Sequence, residues 1–203
     1  MLTMKSDGPD TIPMVIEVLE KDGVVAIPTE TVYGLACRWD SQTARELIYR
    51  LKHRPANKRL QMLASSVEMA IQSGLLPDQR LERLARRFWP GALTLVAPAA
   101  NGDTIGLRIP AHPFVLALLK ELTFPLACTS ANLSGHPAGL TADEAIAELD
   151  GKPHALVDGG PVPPSGGLPS TVAVLTQDGI RILREGPVTL ADLESCLSAP
   201  PGQ

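Results

Sequence analysis

Apolar residues at Ile12, Val15, Ile16 and Leu19 recur at the spacing of one helix face, and Gly23 closes the pattern before the strand-like run VVAIP, Val24 to Pro28. A second helix is predicted after Ser41, a natural N-cap, because Ala44, Leu47, Ile48 and Leu51 stand at i, i+3, i+4 and i+7 and the stripe ends before Pro55. RLQMLA, Arg59 to Ala64, reads as a strand. Helical patterns follow at 66–73 and 78–88; the second aligns Leu81, Leu84, Ala85 and Phe88 and stops at Pro90-Gly91. ALTLVAP and TIGLRIP predict two strands joined by a turn at Gly102-Asp103. A helix from Pro113 to Leu122 leads into PLACTS, and HALVD, STVAVL and GIRILR are later strand patterns, the last two folded back about Gly179. Thr141 to Glu144 has capping-box spacing, and Thr189 to Asp192 repeats it. Strands and helices mix without strict alternation, so an α/β fold on a mixed, partly antiparallel sheet is expected. Without internal repeats or a low-complexity linker, residues 1–203 read as one domain.

Composition narrows the class. A chain of 203 residues, 44% hydrophobic and 20% charged, is sized for one substantial core. No apolar run approaches the ~20 residues of a membrane span, and MLTMKSDGPD has no signal-peptide core. Cys37, Cys128 and Cys196 are far apart and lack CxxC spacing, so neither a disulfide framework nor a zinc site is favoured and the cytosol is the natural compartment. A net charge of −4 weighs against a protein that coats nucleic acid, yet leaves room for a local basic patch.

Such a patch is KHRPANKR, where Lys52, Arg54, Lys58 and Arg59 gather four fixed cations beside His53. Arg forks and Lys point charges together suit a polyphosphate; a solvated helix end is the plain alternative at even weight. TSANLSG, Thr129 to Gly135, follows an apolar run and puts Ser130, Asn132 and Ser134 at alternate positions near a strand end, where α/β sheets hold ligands; an ordinary polar turn is the alternative. DGGPVPPSGGLPST, Asp158 to Thr171, offers Ser165, Ser170 and Thr171 as donors for an anion, or is a disordered surface loop. Arg108 and Arg184 end strand patterns, where arginines are more often surface residues. P-loop, dinucleotide and metalloprotease motifs are absent, and His53, His112, His136 and His154 are scattered.

One further stretch is odd. PTETVYGL, Pro28 to Leu35, packs Thr29-Glu30-Thr31 and Tyr33-Gly34 between two apolar runs. Taken in order, PTETVYGL, the Lys-x-Arg-Pro at Lys52 to Pro55, WPGALTLV, LRIPAHP, TSANLSG and the late PST resemble the YrdC/TsaC family, the threonylcarbamoyl-AMP synthases, over roughly residues 12–187. The resemblance implies a twisted open α/β sheet with a large, positively charged concave cavity. It implies a reaction of L-threonine, bicarbonate or CO₂, and ATP that gives threonylcarbamoyl-AMP and pyrophosphate, for modifying an adenosine in tRNA through downstream transferase proteins. By position it makes Lys52 and Arg54 catalytic, and Lys52, Arg54, Lys58, Asn132, Leu140 and Arg184 contacts for ATP, with Mg²⁺ bridging phosphates on few protein ligands. Threonine meets Thr31, Leu63, Arg108, Ser130 and Ser170, with the Arg108 fork on its carboxylate.

Some positions depart from the family pattern. Leu63 stands where longer members often have His, which makes one side of the threonine pocket less polar. Arg59 replaces a frequent Pro, and Ala92 stands where Pro is common. The C-terminal domain of longer relatives is missing, so the chain resembles the short form. Within PTETVYGL, Thr31 is the expected ligand contact, Glu30 and Tyr33 either face the ligand or hold the wall, and Gly34 permits close packing. Competing readings are an RNA-binding module for tRNA or double-stranded RNA, a paralogue with another substrate, and a hydrolase with Ser130 or Ser170 as nucleophile. Two Trp, two Tyr and three Phe in the whole chain are few for an RNA-stacking surface.

Overall fold

A computed structural model of the chain describes residues 1–163 and 167–199. In chain order its elements are β1 (Leu2–Lys5), α1 (Thr11–Glu20), β2 (Val25–Ile27), β3 (Gly34–Arg38), α2 (Gln42–Leu51), β4 (Gln61–Leu63), α3 (Val67–Gln72), α4 (Gln79–Phe88), β5 (Leu93–Pro98) and β6 (Thr104–Arg108). They continue with α5 (Pro113–Glu121), β7 (Leu126–Ser130), α6 (Ala142–Ala147), β8 (Ala155–Asp158), β9 (Thr171–Thr176), β10 (Gly179–Arg184) and α7 (Leu190–Ser198). The ten strands form one sheet in the order β1-β8-β2-β3-β7-β4-β6-β5-β9-β10. Pairs β1/β8, β2/β8, β4/β6 and β5/β9 are parallel, and the remaining neighbours are antiparallel, so the mixed α/β sheet expected from the sequence is what forms.

Helices cover both faces. In β2 the alternation is visible in the packing: Val25 and Ile27 join Val15 and Leu19 of α1 and Phe114 and Leu118 of α5, while Val24 and Ala26 join Ala44, Ile48 and Leu51 of α2 on the other side. A strand buried on both faces reads as a continuous apolar run, which is why VVAI carries no period of two. A third cluster seats α4 and α7 on β5 and β9 through Leu84, Leu93, Leu95, Ala173 and Leu193. Both anticipated hairpins form, β5/β6 through Gly102 at φ +80° and β9/β10 through Gly179. Thr189 and Asp192 make a full capping box. At Thr141 only half of one exists, because the Glu144 carboxylate accepts from the Leu140 N–H instead. Neither β1 nor β3 was anticipated; β1 is a mostly exposed edge strand without apolar alternation. RLQMLA supplies only three strand residues.

PTETVYGL is the connection from β2 into β3, not a strand interrupted by polar groups. Thr29 Oγ1 accepts from the N–H groups of Thr31 and Val32, both at 3.2 Å, and donates to the Val32 carbonyl at 2.6 Å, which folds the loop on itself. Tyr33 is fully buried; its hydroxyl donates to the Gly160 carbonyl at 2.6 Å and accepts from the Gly159 N–H at 3.1 Å. This wall therefore holds Gly159-Gly160 through Tyr33 and also Gly167, whose N–H reaches the Thr31 carbonyl at 2.7 Å. Among the described residues no helix is long and apolar enough to cross a membrane.

Gly34 shows how tightly the wall meets its neighbour, because a Cβ there would lie 2.9 Å from Cys128 Sγ and 3.3 Å from the Thr129 carbonyl on β7. Gly34→Ala should cost about 1–3 kcal/mol in urea unfolding by overpacking. Adding Cys128→Ala should return part of that loss, and strictly additive losses would contradict the contact.

Candidate active site

The walls supplied by the PTETVYGL loop, β4, β5, β6, the end of β7 and β9–β10 enclose a cavity of about 240 Å³. Four arginines reach it: Arg54, Arg59, Arg108 and Arg184. Arg108, at the end of β6, is 3% exposed. Its Nε donates to the Gly91 carbonyl at 3.1 Å, and its Nη2 donates to Glu30 Oε1 at 2.5 Å and to Thr31 Oγ1 at 3.1 Å. Nη1 has no partner among the described residues, and the Arg108 side chain lines the cavity. Glu30 Oε2 and the nearby His112 Nδ1 are enclosed without partners among the described residues, and burial lowers the His112 pKa against the opposing pull of Glu30.

Across the cavity, Arg184 donates to the Ser170 carbonyl from Nη2 at 2.7 Å and from Nε at 3.1 Å. Ser170 Oγ lies 2.9 Å from Thr94 Oγ1, which donates to Gln61 Oε1 at 2.9 Å, so one hydroxyl relay along the cavity lining runs from the residue before β9 through β5 to β4. Arg54 donates from Nε to the Lys58 carbonyl at 2.9 Å and from Nη2 to the Arg59 carbonyl at 2.7 Å. Burial lowers the Arg184 pKa first, and the Arg108 and Arg54 charges lower it further. Neither Arg54 nor Arg184 has a carboxylate partner among the described residues; backbone carbonyls and, for Arg184, the Ser170 hydroxyl at 3.2 Å meet these cations. Guanidinium groups crowded in this way favour an anion between them.

The residues singled out in the sequence divide three ways. Thr31, Arg54, Arg108, Ser130, Ser170 and Arg184 meet at the cavity. Lys52 and Asn132 lie behind it. The Lys52 ammonium, 1% exposed, donates to the Ser130 carbonyl at 2.5 Å and the Asn132 carbonyl at 2.6 Å, while Asn132 Nδ2 donates to the Leu133 and His136 carbonyls. Lys58 and Leu140 are exposed away from the cavity lining, and Leu63 is fully buried in the apolar cluster with Phe114 and Leu126. Leu63 shares a face of β4 with Gln61 but sits one pleat farther along, so Gln61 is the side chain of that strand that reaches the cavity. Ser165 lies outside the described residues.

Gln61 and Thr94 are contributors that sequence reading did not name; Arg59 entered it only as one cation of KHRPANKR, and Glu30, which could face the ligand or hold the wall, pairs with Arg108. Gln61 and Thr94 had a signal, since each is a lone polar residue inside an apolar strand run. Among the described residues, no group of three His, Cys, Asp or Glu side chains is placed to hold a metal ion. The cavity itself is smaller than the large one expected. A wider concavity of about 1160 Å³ lies elsewhere, between α4, α7 and the β9–β10 turn, remote from these arginines.

Sheet order, the wall loop and the cavity together define an open-sheet α/β protein with four arginines lining one cavity. The family model described as telomere recombination, Sua5/YciO/YrdC, matches residues 17–186, and the chain belongs to that family. It is 37% identical over 191 residues to a threonylcarbamoyl-AMP synthase of Bacillus subtilis (strain 168), covering 89% of this chain and 54% of the relative. It is 38% identical over 152 residues to a threonylcarbamoyl-AMP synthase of Escherichia coli O1:K1 / APEC, covering 69% of this chain and 80% of the relative. The crystal structure of P. abyssi Sua5 complexed with L-threonine superposes with a TM-score of 0.87 at 32% identity, over 97% of this chain and 60% of that one. The chain thus spans about half the length of the Bacillus subtilis relative.

Two predictions follow from the buried charges. Glu30→Ala strips the buried Arg108 of its counter-charge and should destabilise the fold by about 2–3 kcal/mol in urea unfolding, less than a fully enclosed pair because Glu30 is 21% exposed; an unchanged midpoint would contradict the role given to the pair. Burial lowers the Lys52 pKa from 10.5 to about 8, and the Arg54 charge adds to the effect. Below pH 8 both folded and unfolded chains hold the proton, whereas between 8 and 10.5 the unfolded chain holds more, so this group's contribution to stability rises with pH across that window. The unfolding free energy of the native chain minus that of Lys52→Met should therefore climb over that range, by at most about 3–4 kcal/mol. A difference that falls or stays flat would contradict the burial.

Proposed function

We propose that this cavity makes threonylcarbamoyl-AMP from L-threonine, bicarbonate or CO₂, and ATP, releasing pyrophosphate. The observation that carries the reading is the set of arginines converging on one small cavity beside three hydroxyls, Thr31, Ser130 and Ser170. Arg108 Nη1 takes the threonine carboxylate, and the hydroxyls meet the rest of the amino acid. Arg54 and Arg184 take the phosphates. Lys52 acts from behind, ordering the TSANLSG loop through its carbonyls, and Asn132 closes that loop by its own two bonds. Leu63 is left out of the pocket, so the polarity of that side is set by Gln61.

The chemistry asks little of a nucleophilic side chain. The neutral amine of threonine adds to CO₂, losing a proton to give the carbamate; a carbamate oxygen attacks the α-phosphorus of ATP, and pyrophosphate leaves with the bonding pair. Holding two anions in line and stabilising charge on the phosphoryl oxygens is positioning and electrostatic work. Mg²⁺ would arrive with the nucleotide substrate and would supply further positive charge to its phosphates. A serine-hydrolase reading lacks a base: Ser170 Oγ meets Thr94 and Arg184, and among the described residues neither Ser130 nor Ser170 bonds to a histidine or carboxylate. One ten-stranded sheet supports treating residues 1–203 as one domain. The product's use in tRNA modification by a transferase, and a cytoplasmic setting, complete the proposal.

Pyrophosphate release from ATP should require both bicarbonate and L-threonine and should exceed the rate with L-serine. Arg54→Ala and Arg184→Ala should each lower that rate by on the order of 10²-fold while remaining folded. Release indifferent to the amino acid would sink the proposal; RNA affinity that falls steeply with salt, without ATP turnover, would favour the RNA-binding reading.

A further inference from the structure

A cavity of about 240 Å³ falls below the ~300–1,000 Å³ typical of sites for drug-sized ligands, so a nucleoside triphosphate placed in it must extend through the mouth. Arg59 stands at that mouth: it lines the cavity, yet its side chain is 56% exposed, against 3% for Arg108 in the interior. Its backbone is well fixed. Its carbonyl accepts from Arg54 Nη2 at 2.7 Å, and Tyr49 and Arg54 both clamp the carbonyl of the preceding Lys58, each at 2.9 Å. Its Nη1 reaches across to the β5–β6 turn, pairing with Asp103 and the Thr104 carbonyl, while Nε and Nη2 have no partner among the described residues.

We infer that Arg59 is a polyphosphate contact at the mouth of the cavity, and that Asp103 occupies its guanidinium until a phosphate chain displaces the carboxylate. The inference rests on the nucleotide reading above. Magnitudes favour the exchange. Asp103 is 47% exposed, and an ion pair so open to water contributes only about 0–1 kcal/mol. A di- or triphosphate offers several charges in the geometry an Arg fork prefers. Arg59 and Arg54, tied through the Arg59 carbonyl, then grip the chain from one loop.

Calorimetric titration of the native chain, Arg59→Ala and Asp103→Asn with ATP, pyrophosphate, AMP and L-threonine tests this. Arg59→Ala should weaken ATP and pyrophosphate about tenfold, the low end for a charged hydrogen bond at a partly screened site, and leave AMP and L-threonine within about twofold. Asp103→Asn should act in the opposite direction and tighten ATP, because it removes the competitor. If both variants weaken ATP, the pair is a structural strap and the inference fails. If Arg59→Ala binds ATP as tightly as a native chain that does bind it, the inference fails while the nucleotide reading stands. A native chain that binds neither ATP nor pyrophosphate overturns both. Weakening for pyrophosphate alone supports the contact and assigns it to the product.

Discussion

Everything at this site leans on one buried cation. Arg108 is almost wholly enclosed, and a guanidinium taken out of water is tolerated only where acceptors replace its hydration. Those acceptors come from segments remote in sequence: the carboxylate of Glu30, the hydroxyl of Thr31 and the carbonyl of Gly91. The requirement explains the composition of PTETVYGL. Thr29 folds the loop so that Glu30 and Thr31 face Arg108, Tyr33 ties the loop to Gly159-Gly160, and Gly34 lets β3 pack against β7. Its hydroxyls divide between fold and cavity, Thr29 serving the first and Thr31 both.

Around that anchor the charge is deliberately unbalanced. Arg54 and Arg184 donate to backbone carbonyls and, for Arg184, to the Ser170 hydroxyl, neutral acceptors that hold the side chains without neutralising them. Field strength in such a cleft exceeds what the same charges give in water, and a chain of net charge −4 still gathers four arginines at one cavity. For the proposed reaction, preorganised cations of this kind need no rearrangement as phosphoryl charge develops. Lys52 contributes at one remove, by fixing the two carbonyls of the Ser130–Asn132 segment that borders the cavity.

Local pattern carried the fold well and the site unevenly. α2, α4 and both hairpins were legible because capping, helical stripes and turn glycines are short-range signals. β1 was not, since an exposed edge strand shows no buried alternation, and strand order depends on pairings that span the chain. KHRPANKR looked like one cationic surface, but its residues diverge at the end of α2. Lys52 turns inward to carbonyls, His53 at φ +47° turns out to Asp150, and Arg54 turns to the cavity. Arg108 and Arg184 looked like surface residues one at a time; their meaning lies in convergence, which only tertiary structure supplies. Leu63 fell on the threonine side by position, whereas the pleat and length of β4 carry it under α5 and leave Gln61 at the cavity.

The central claim is that Arg108 anchors an amino-acid carboxylate beside a phosphate site built from Arg54 and Arg184. A crystal structure of the chain with L-threonine and a non-hydrolysable ATP analogue tests it most directly. The account predicts the threonine carboxylate within hydrogen-bonding distance of Arg108, with the phosphates between Arg54 and Arg184. Ligand density confined to the concavity between α4 and α7, with the Arg108 guanidinium untouched, would contradict it.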